Sequence, residues 1–175
     1  VTDRVGVVTG IRGLIRHRTI QAIGETAHAG AVDFPYRKDA ALACARFSSR
    51  LYDFWQHELS LGRDLVATTG VIRTSPSASM NKIAGECIVS LDARSLSAAE
   101  LNLFEKKVEA ILQETAEETG VIFKTDPLMR IAPVEADEGV MKKLEMSADI
   151  LKIGTQRMPS GAGHDAMNFA AAGVP

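Results

Sequence analysis

The chain is 175 residues long, with 46% hydrophobic and 24% charged residues, a formal net charge of -2 and a pI near 6.1. That length suits one compact domain, or one domain with pieces of another, and the balanced charge gives no electrostatic footprint for nucleic acid. No run approaches the roughly 20 apolar residues that span a bilayer, so no membrane partner is expected.

The opening stretch, Val5-Gly-Val-Val-Thr-Gly10, leads into Arg12 to Ala22, which is rich in Ile, Arg and Thr, lacks proline and closes on Gly24; it reads as a strand. A loop from Glu25 to Tyr36 holds His28, Gly30 and Pro35. Lys38 to Leu61 lacks glycine and proline, and Ala40, Cys44, Phe47, Leu51 and Phe54 recur at helical steps before Gly62; this is an amphipathic helix. Val66 to Arg73 reads as a second strand, and Thr74 to Ser79 as loop.

Glu86 to Arg94 alternates, with Cys87, Val89, Leu91 and Ala93 on one face and Ser90, Asp92 and Arg94 on the other, as a half-buried strand does. Ser97 and Glu100 suit a capping box. Leu101, Phe104, Val108, Ile111 and Leu112 then mark a second helix ended by Gly120, followed by a short strand over Val121 to Thr125. The order β-α-β-β-α-β predicts an α+β unit of the ferredoxin-like kind, a four-stranded antiparallel sheet with two helices on one face.

Pro127 to Pro133 reads as a connector. Val140, Met141, Leu144, Ala148 and Leu151 mark a further helix, and Ser160 to Asp165 is a glycine-rich turn before a short alanine-rich helix ending at Gly173. These residues are expected to be a partial piece of an α/β domain. The expected divisions are 1–10, 11–126 and 127–175, and both ends read as cuts through a larger protein. Cys44 and Cys87, both in apolar stretches, read as buried thiols in a reducing, cytoplasmic setting rather than as a disulfide framework.

Four histidines are candidates for chemistry. His17, mid-strand between two arginines, and His57, late in the first helix, read as surface or packing residues. His28 and His164 sit in glycine-flanked loops, where backbone can approach a ligand and an imidazole can reach it. Before His164, the small residues Gly161, Ala162 and Gly163 set backbone N–H groups at a helix start, an arrangement that favours an anion or a developing oxyanion. The competing reading is a tight strand-to-helix turn capped by Asp165.

Arg94, ending a strand on its polar face, can hold a carboxylate with its guanidinium fork, and Asn81 in the preceding loop can donate and accept. The competing reading pairs Arg94 with Asp92. Glu117-Glu118 lies in the last turns of a helix and reads as solvated. No metal-ligand motif, nucleophile elbow or phosphate loop occurs.

Six stretches, in order, carry a resemblance: Gly6-Val-Val-Thr-Gly-Ile11, Gly24-Glu-Thr-Ala-His-Ala-Gly30, Arg37-Lys-Asp-Ala40, Asn81-Lys-Ile-Ala-Gly85, Leu91-Asp-Ala-Arg-Ser95 and Ser160-Gly-Ala-Gly-His-Asp-Ala166. Together they resemble the hydantoinase/carbamoylase amidases, within a wider group of zinc peptidases, and the last stretch is the most specific. Members include N-carbamoyl-L-amino-acid hydrolases, beta-ureidopropionases and allantoate amidohydrolases. The resemblance implies that residues 11–126 are a lid and dimerisation domain, with a homodimer as the expected assembly.

It also implies roles for single residues. His28 would polarise the scissile carbonyl, Asn81 and Arg94 would hold the substrate's carboxylate, and His164 with Gly163 would bind substrate. The intact enzyme would use Zn2+ or Mn2+, with no metal expected in this chain. The sequence departs from the family's usual pattern at Ala31-Val-Asp-Phe-Pro-Tyr36 and at Ala84, which leaves substrate preference open. The neighbouring aminoacylase or dipeptidase branch, and a non-catalytic dimerisation module, are the alternatives.

Overall fold

In the computed structural model, residues 3–174 are described; Val1, Thr2 and Pro175, where the outer limits of the expected segments fall, lie outside the described residues. Strand β1 (Arg4–Ile11) is separated only by Arg12 from β2 (Gly13–Ile23). The short β3 (Ala27–His28) and a 3-10 turn at Phe34–Tyr36 lead into α1 (Ala40–Ser60). Strands β4 (Val66–Thr68), β5 (Ile72–Thr74), β6 (Lys82–Ile83) and β7 (Glu86–Ser95) precede α2 (Ala98–Thr119). Then come β8 (Ile122–Thr125), β9 (Met129–Ile131), β10 (Val134–Glu135), α3 (Glu138–Ile150), β11 (Gly154–Ser160) and α4 (Ala166–Ala171).

The result is a mixed α+β architecture. One sheet is six-stranded and antiparallel, with β7 and β2 at its centre, β4 and β5 along the outer side of β7, and β8 and β9 along the outer side of β2. A second, three-stranded sheet has the order β10-β1-β11, with β1 and β11 parallel. No helix among the described residues is long and apolar enough to cross a membrane.

Local signals set the helix ends. Asp39 caps α1 by accepting from the N–H groups of Ala41 and Leu42, supplying partners that a first turn lacks. Ser97 caps α2 by accepting from Glu100 N–H, but the reciprocal half of the expected capping box is absent: Ser97 N–H donates to Ser95 Oγ, and Glu100 faces Arg63. Gly120 ends α2 in the left-handed region at φ 65°, where a side chain is disfavoured.

Both helices cover one face of the six-stranded sheet. Ile15, Ile20 and Ala22 of β2 and Cys87, Val89, Leu91 and Ala93 of β7 share a core with Phe47 and Leu51 of α1 and Phe104 and Ile111 of α2. Cys44 and Cys87 lie in this core as free, buried thiols. Burial pushes both thiols up, and each also feels the other.

The inward positions of β2 change parity, from Ile15 to Ile20 and Ala22, which a regular strand cannot do. A bulge makes it possible: the pairing with β7 shifts between His17 and Ile20, so that Arg18 and Thr19 add one residue. The freed N–H groups of Arg18 and Thr19 both donate to the carboxylate of Asp126, which also meets His17 Nδ1 at 3.2 Å. Burial raises the Asp126 carboxyl, but these hydrogen bonds outweigh it and leave the group below the ordinary aspartate range.

Two expected elements differ. Val66 to Arg73 is not one strand, because the register against β7 also slips by one residue between Thr68 and Ile72, at a bulge containing Gly70. The connector from Pro127 to Pro133 contains β9, which extends the sheet along β2 to Ile131. Pro127 falls in the break between β8 and β9, where no ladder hydrogen bond calls for its missing N–H.

Replacing Asp126 with alanine removes the acceptor for both bulge N–H groups. The expected loss of stability is about 2 kcal/mol, from two hydrogen bonds to a charged group that is partly exposed. Urea denaturation measures it, and a loss below about 0.5 kcal/mol would show that water satisfies the bulge equally well.

Candidate functional site

Arg94 lies near the end of β7, next to the second sheet. Its Nε and Nη2 donate to the two carboxylate oxygens of Asp92 at 2.7 and 3.3 Å, and its Nη1 donates to the Gly161 carbonyl at 2.6 Å. Asp92 also accepts from Nε of Arg16 at 2.8 Å and from Arg16 Nη2. Burial raises the Asp92 carboxyl, but the hydrogen bonds from Arg94 and Arg16 outweigh it, so Asp92 is held below the ordinary aspartate range. The same contact holds Arg94 above the usual arginine value. The pairing of Arg94 with Asp92 weighed from sequence is present, and the guanidinium also reaches the glycine-rich turn.

That turn is braced from within. Ser160 Oγ lies 3.0 Å from the Ala162 carbonyl and 2.6 Å from His164 Nε2. A hydroxyl has one proton, so the His164 tautomer sets whether Ser160 accepts from Nε2–H or donates to Nε2 in place of Ala162. Gly163 and His164 are both exposed. Asp165 does not cap α4 with its side chain, so the turn does not rest on the capping expected of it. The N–H of Arg12 donates to the Ser160 carbonyl at 3.2 Å, and the Arg12 guanidinium pairs with Asp64 at 2.6 Å. Asp64 also accepts from Leu96 N–H at 2.7 Å. Burial raises the Asp64 carboxyl, but the Arg12 and Leu96 hydrogen bonds bring it below the ordinary range.

His28 and Asn81 form a second locus. β3 pairs with β6, setting His28 opposite Lys82, and Ala29 N–H donates to the Asn81 carbonyl at 2.9 Å. His28 Nδ1 accepts from Gly30 N–H at 3.1 Å, which leaves Nε2 as the ring's N–H donor. The His28 side chain is exposed, as is Asn81, whose Oδ1 accepts from Ser79. Arg37 braces this loop by donating to the carbonyls of Val32 and Ala29 at 2.9 and 2.5 Å. Arg37 was legible only as part of a matching stretch, because its partners are backbone atoms.

The structure brings Arg94, Gly163 and His164 into one neighbourhood and His28 and Asn81 into another. Arg94 and Glu86 lie near opposite ends of β7, about 27 Å apart at ~3.4 Å per residue, and the His28 locus lies beyond Glu86. His17 is engaged by Asp126, and His57 is exposed on α1. Glu118 pairs with Arg46 and Arg50. Among the described residues, no three or more His, Cys, Asp or Glu side chains gather as a metal site.

No protein-family model matches the chain. It is 30% identical over 166 residues to allantoate amidohydrolase from Escherichia coli, covering 95% of this chain and 39% of that protein. It is 29% identical over 166 residues to N-carbamoyl-L-amino-acid amidohydrolase from Paenarthrobacter aurescens, again covering 95% of this chain and 39% of that protein. Its structure matches that of a hydantoinase/carbamoylase family amidase from Burkholderia multivorans with a TM-score of 0.85 and 27% identity, covering 94% of this chain and 39% of that one. The chain thus spans 39% of the length of the curated relatives it is compared with.

The lowered Asp64 carboxyl has a consequence for pH. A depressed folded-state value means that the stabilisation is full above the unfolded value of about 3.9 and is lost as pH falls through the folded value. Asp64→Asn is therefore expected to cost on the order of 1–2 kcal/mol at neutral pH, allowing for partial exposure. The difference from the unsubstituted protein should shrink below about pH 4, as followed by urea denaturation across a pH series.

Proposed function

Since the chain belongs to the hydantoinase/carbamoylase amidase family, we propose that it is the lid and part of the catalytic domain of a metal-dependent amidohydrolase. The reaction is hydrolysis of the carbamoyl C–N bond of N-carbamoyl amino acids or allantoate-like substrates. The observation that carries this reading is the meeting of Arg94 with the Gly161 carbonyl at 2.6 Å. That contact sets the Arg94 guanidinium beside the turn that carries the exposed Gly163 and His164, with one N–H on Nη1 and one on Nη2 left over from the bonds to Asp92 and Gly161. The strand order, with both helices on one face, supports a ferredoxin-like lid that runs from β2 through β9, past the expected limit at 126, with β1 and the chain from β10 onward as catalytic-domain segments.

In this reading Arg94 and Asn81 hold the substrate carboxylate, Gly163 and His164 line the pocket, and His28 Nε2–H donates to the scissile carbonyl. Such a donor acts most strongly as negative charge develops on that oxygen. One small substrate cannot touch both ends of a strand about 27 Å apart, which supports a homodimer in which the His28 locus of one subunit serves the Arg94 locus of the other. The Zn2+ or Mn2+ of the intact enzyme would be held by residues outside this chain.

The test is ammonia release by the complete enzyme from N-carbamoyl amino acids and from allantoate. His28→Ala should lower kcat about 100-fold or more, as loss of an oxyanion donor does. Arg94→Ala should raise KM for carboxylate substrates at least tenfold. Full activity in both variants would remove the site assignment. Activity confined to acyl amino acids or dipeptides would move the protein to the aminoacylase or dipeptidase branch.

A further inference from the structure

We propose that Asp92, backed by Arg16, is the positioning residue that holds Arg94 in its substrate-binding orientation. The inference rests on the proposed role of Arg94 as the carboxylate anchor. It is carried by three partly buried side chains on the two central strands, with 33% of the Arg16, 19% of the Asp92 and 25% of the Arg94 side chain exposed. Arg16 and Asp92 stand opposite each other in the β2–β7 register, and Leu14 stands opposite Arg94. Asp92 and Arg94 alternate with the buried Leu91 and Ala93, so both point to the sheet face that the helices leave free.

An arginine side chain is long, and without a fixed partner its guanidinium samples many orientations. Here the Nε/Nη2 edge is engaged fork to fork by the Asp92 carboxylate. That contact sets the plane of the group and aims Nη1 at the Gly161 carbonyl. Asp92 would itself swing if it met Arg94 alone. Arg16 grips it from the neighbouring strand through both Nε and Nη2.

The order of charges follows the same logic. Two guanidinium groups around one carboxylate leave the cluster net positive, suited to an incoming anion. Asp92 would repel a substrate carboxylate that it touched, so its contribution runs through Arg94.

The experiment is steady-state kinetics on the complete enzyme with Arg94→Ala, Asp92→Asn and the double variant. The substrate is whichever of an N-carbamoyl amino acid or allantoate is turned over faster, compared with its carboxamide counterpart. Asp92→Asn should raise KM for the carboxylate substrate about tenfold with kcat within about twofold, and should leave KM for the carboxamide unchanged. In the Arg94→Ala background it should add less than about twofold, and Asp92→Glu should recover part of the loss.

The inference is overturned if Asp92→Asn keeps its full effect without Arg94, or if it leaves KM unchanged while Arg94→Ala raises it. Arg94→Ala failing to discriminate carboxylate from carboxamide would instead remove the reading on which the inference rests. Should Asp92→Asn not fold, Arg16→Gln provides the second variant, with an expected KM rise of about threefold and the same dependence on Arg94.

Discussion

The chain passes twice between its two larger sheets, and the two passes touch. It leaves β1 for β2 through Arg12 and returns from β9 to β10 through Ala132 and Pro133. A Cβ on Gly13 would lie 2.4 Å from Pro133 N and 2.5 Å from the Ile131 carbonyl oxygen, closer than such atoms ever stand, so the crossing requires glycine there. Because the passes abut, the end of β7 that carries Arg94 arrives beside the end of β11 that carries Ser160. A looser crossing would part the arginine from the glycine-rich turn.

Polar side chains then secure what the backbone brings close. Arg12 joins the crossing to the loop after α1 through Asp64, and Asp64 takes the Leu96 N–H at the turn after β7. These contacts are partly buried, where water competes less for each charge than at an open surface. At the far end of the same sheet the loop around His28 is tied mainly by backbone: Gly24 N–H donates to the Gly85 carbonyl, Glu25 N–H to Lys38, and Ala40 N–H to Ala84. One locus is thus secured by ion pairs at the crossing and within the six-stranded sheet, and the other by interlocked loops.

The α1 and α2 helices and the alternation of β7 were legible in the sequence because their signals are local: a capping residue, a helical stripe, a terminal glycine. So were Arg94 as a polar-face strand residue and the glycine-rich stretch around His164. What sequence could not supply was partnership at long range. Asp126 completes a bulge more than 100 residues before it in the chain (at Arg18 and Thr19), and nothing near Asp126 signals that role. The strand β1 was masked by Gly6 and Gly10, and β9 by the prolines on either side of it. Asn81 and Arg94, near in sequence and alike in expected role, stand toward opposite ends of a long strand.

The two core thiols give the molecule a built-in clock for its own opening. Cys44 and Cys87 are 0% and 1% exposed, and burial also holds both in the unreactive protonated form, since the thiolate is the nucleophile. An alkylating reagent therefore meets neither sulfur until α1 lifts from β7. Labelling of these positions reads out the frequency of that separation, in the manner of hydrogen exchange at a deeply protected amide. The same arrangement spares the core from adventitious oxidation while it remains closed.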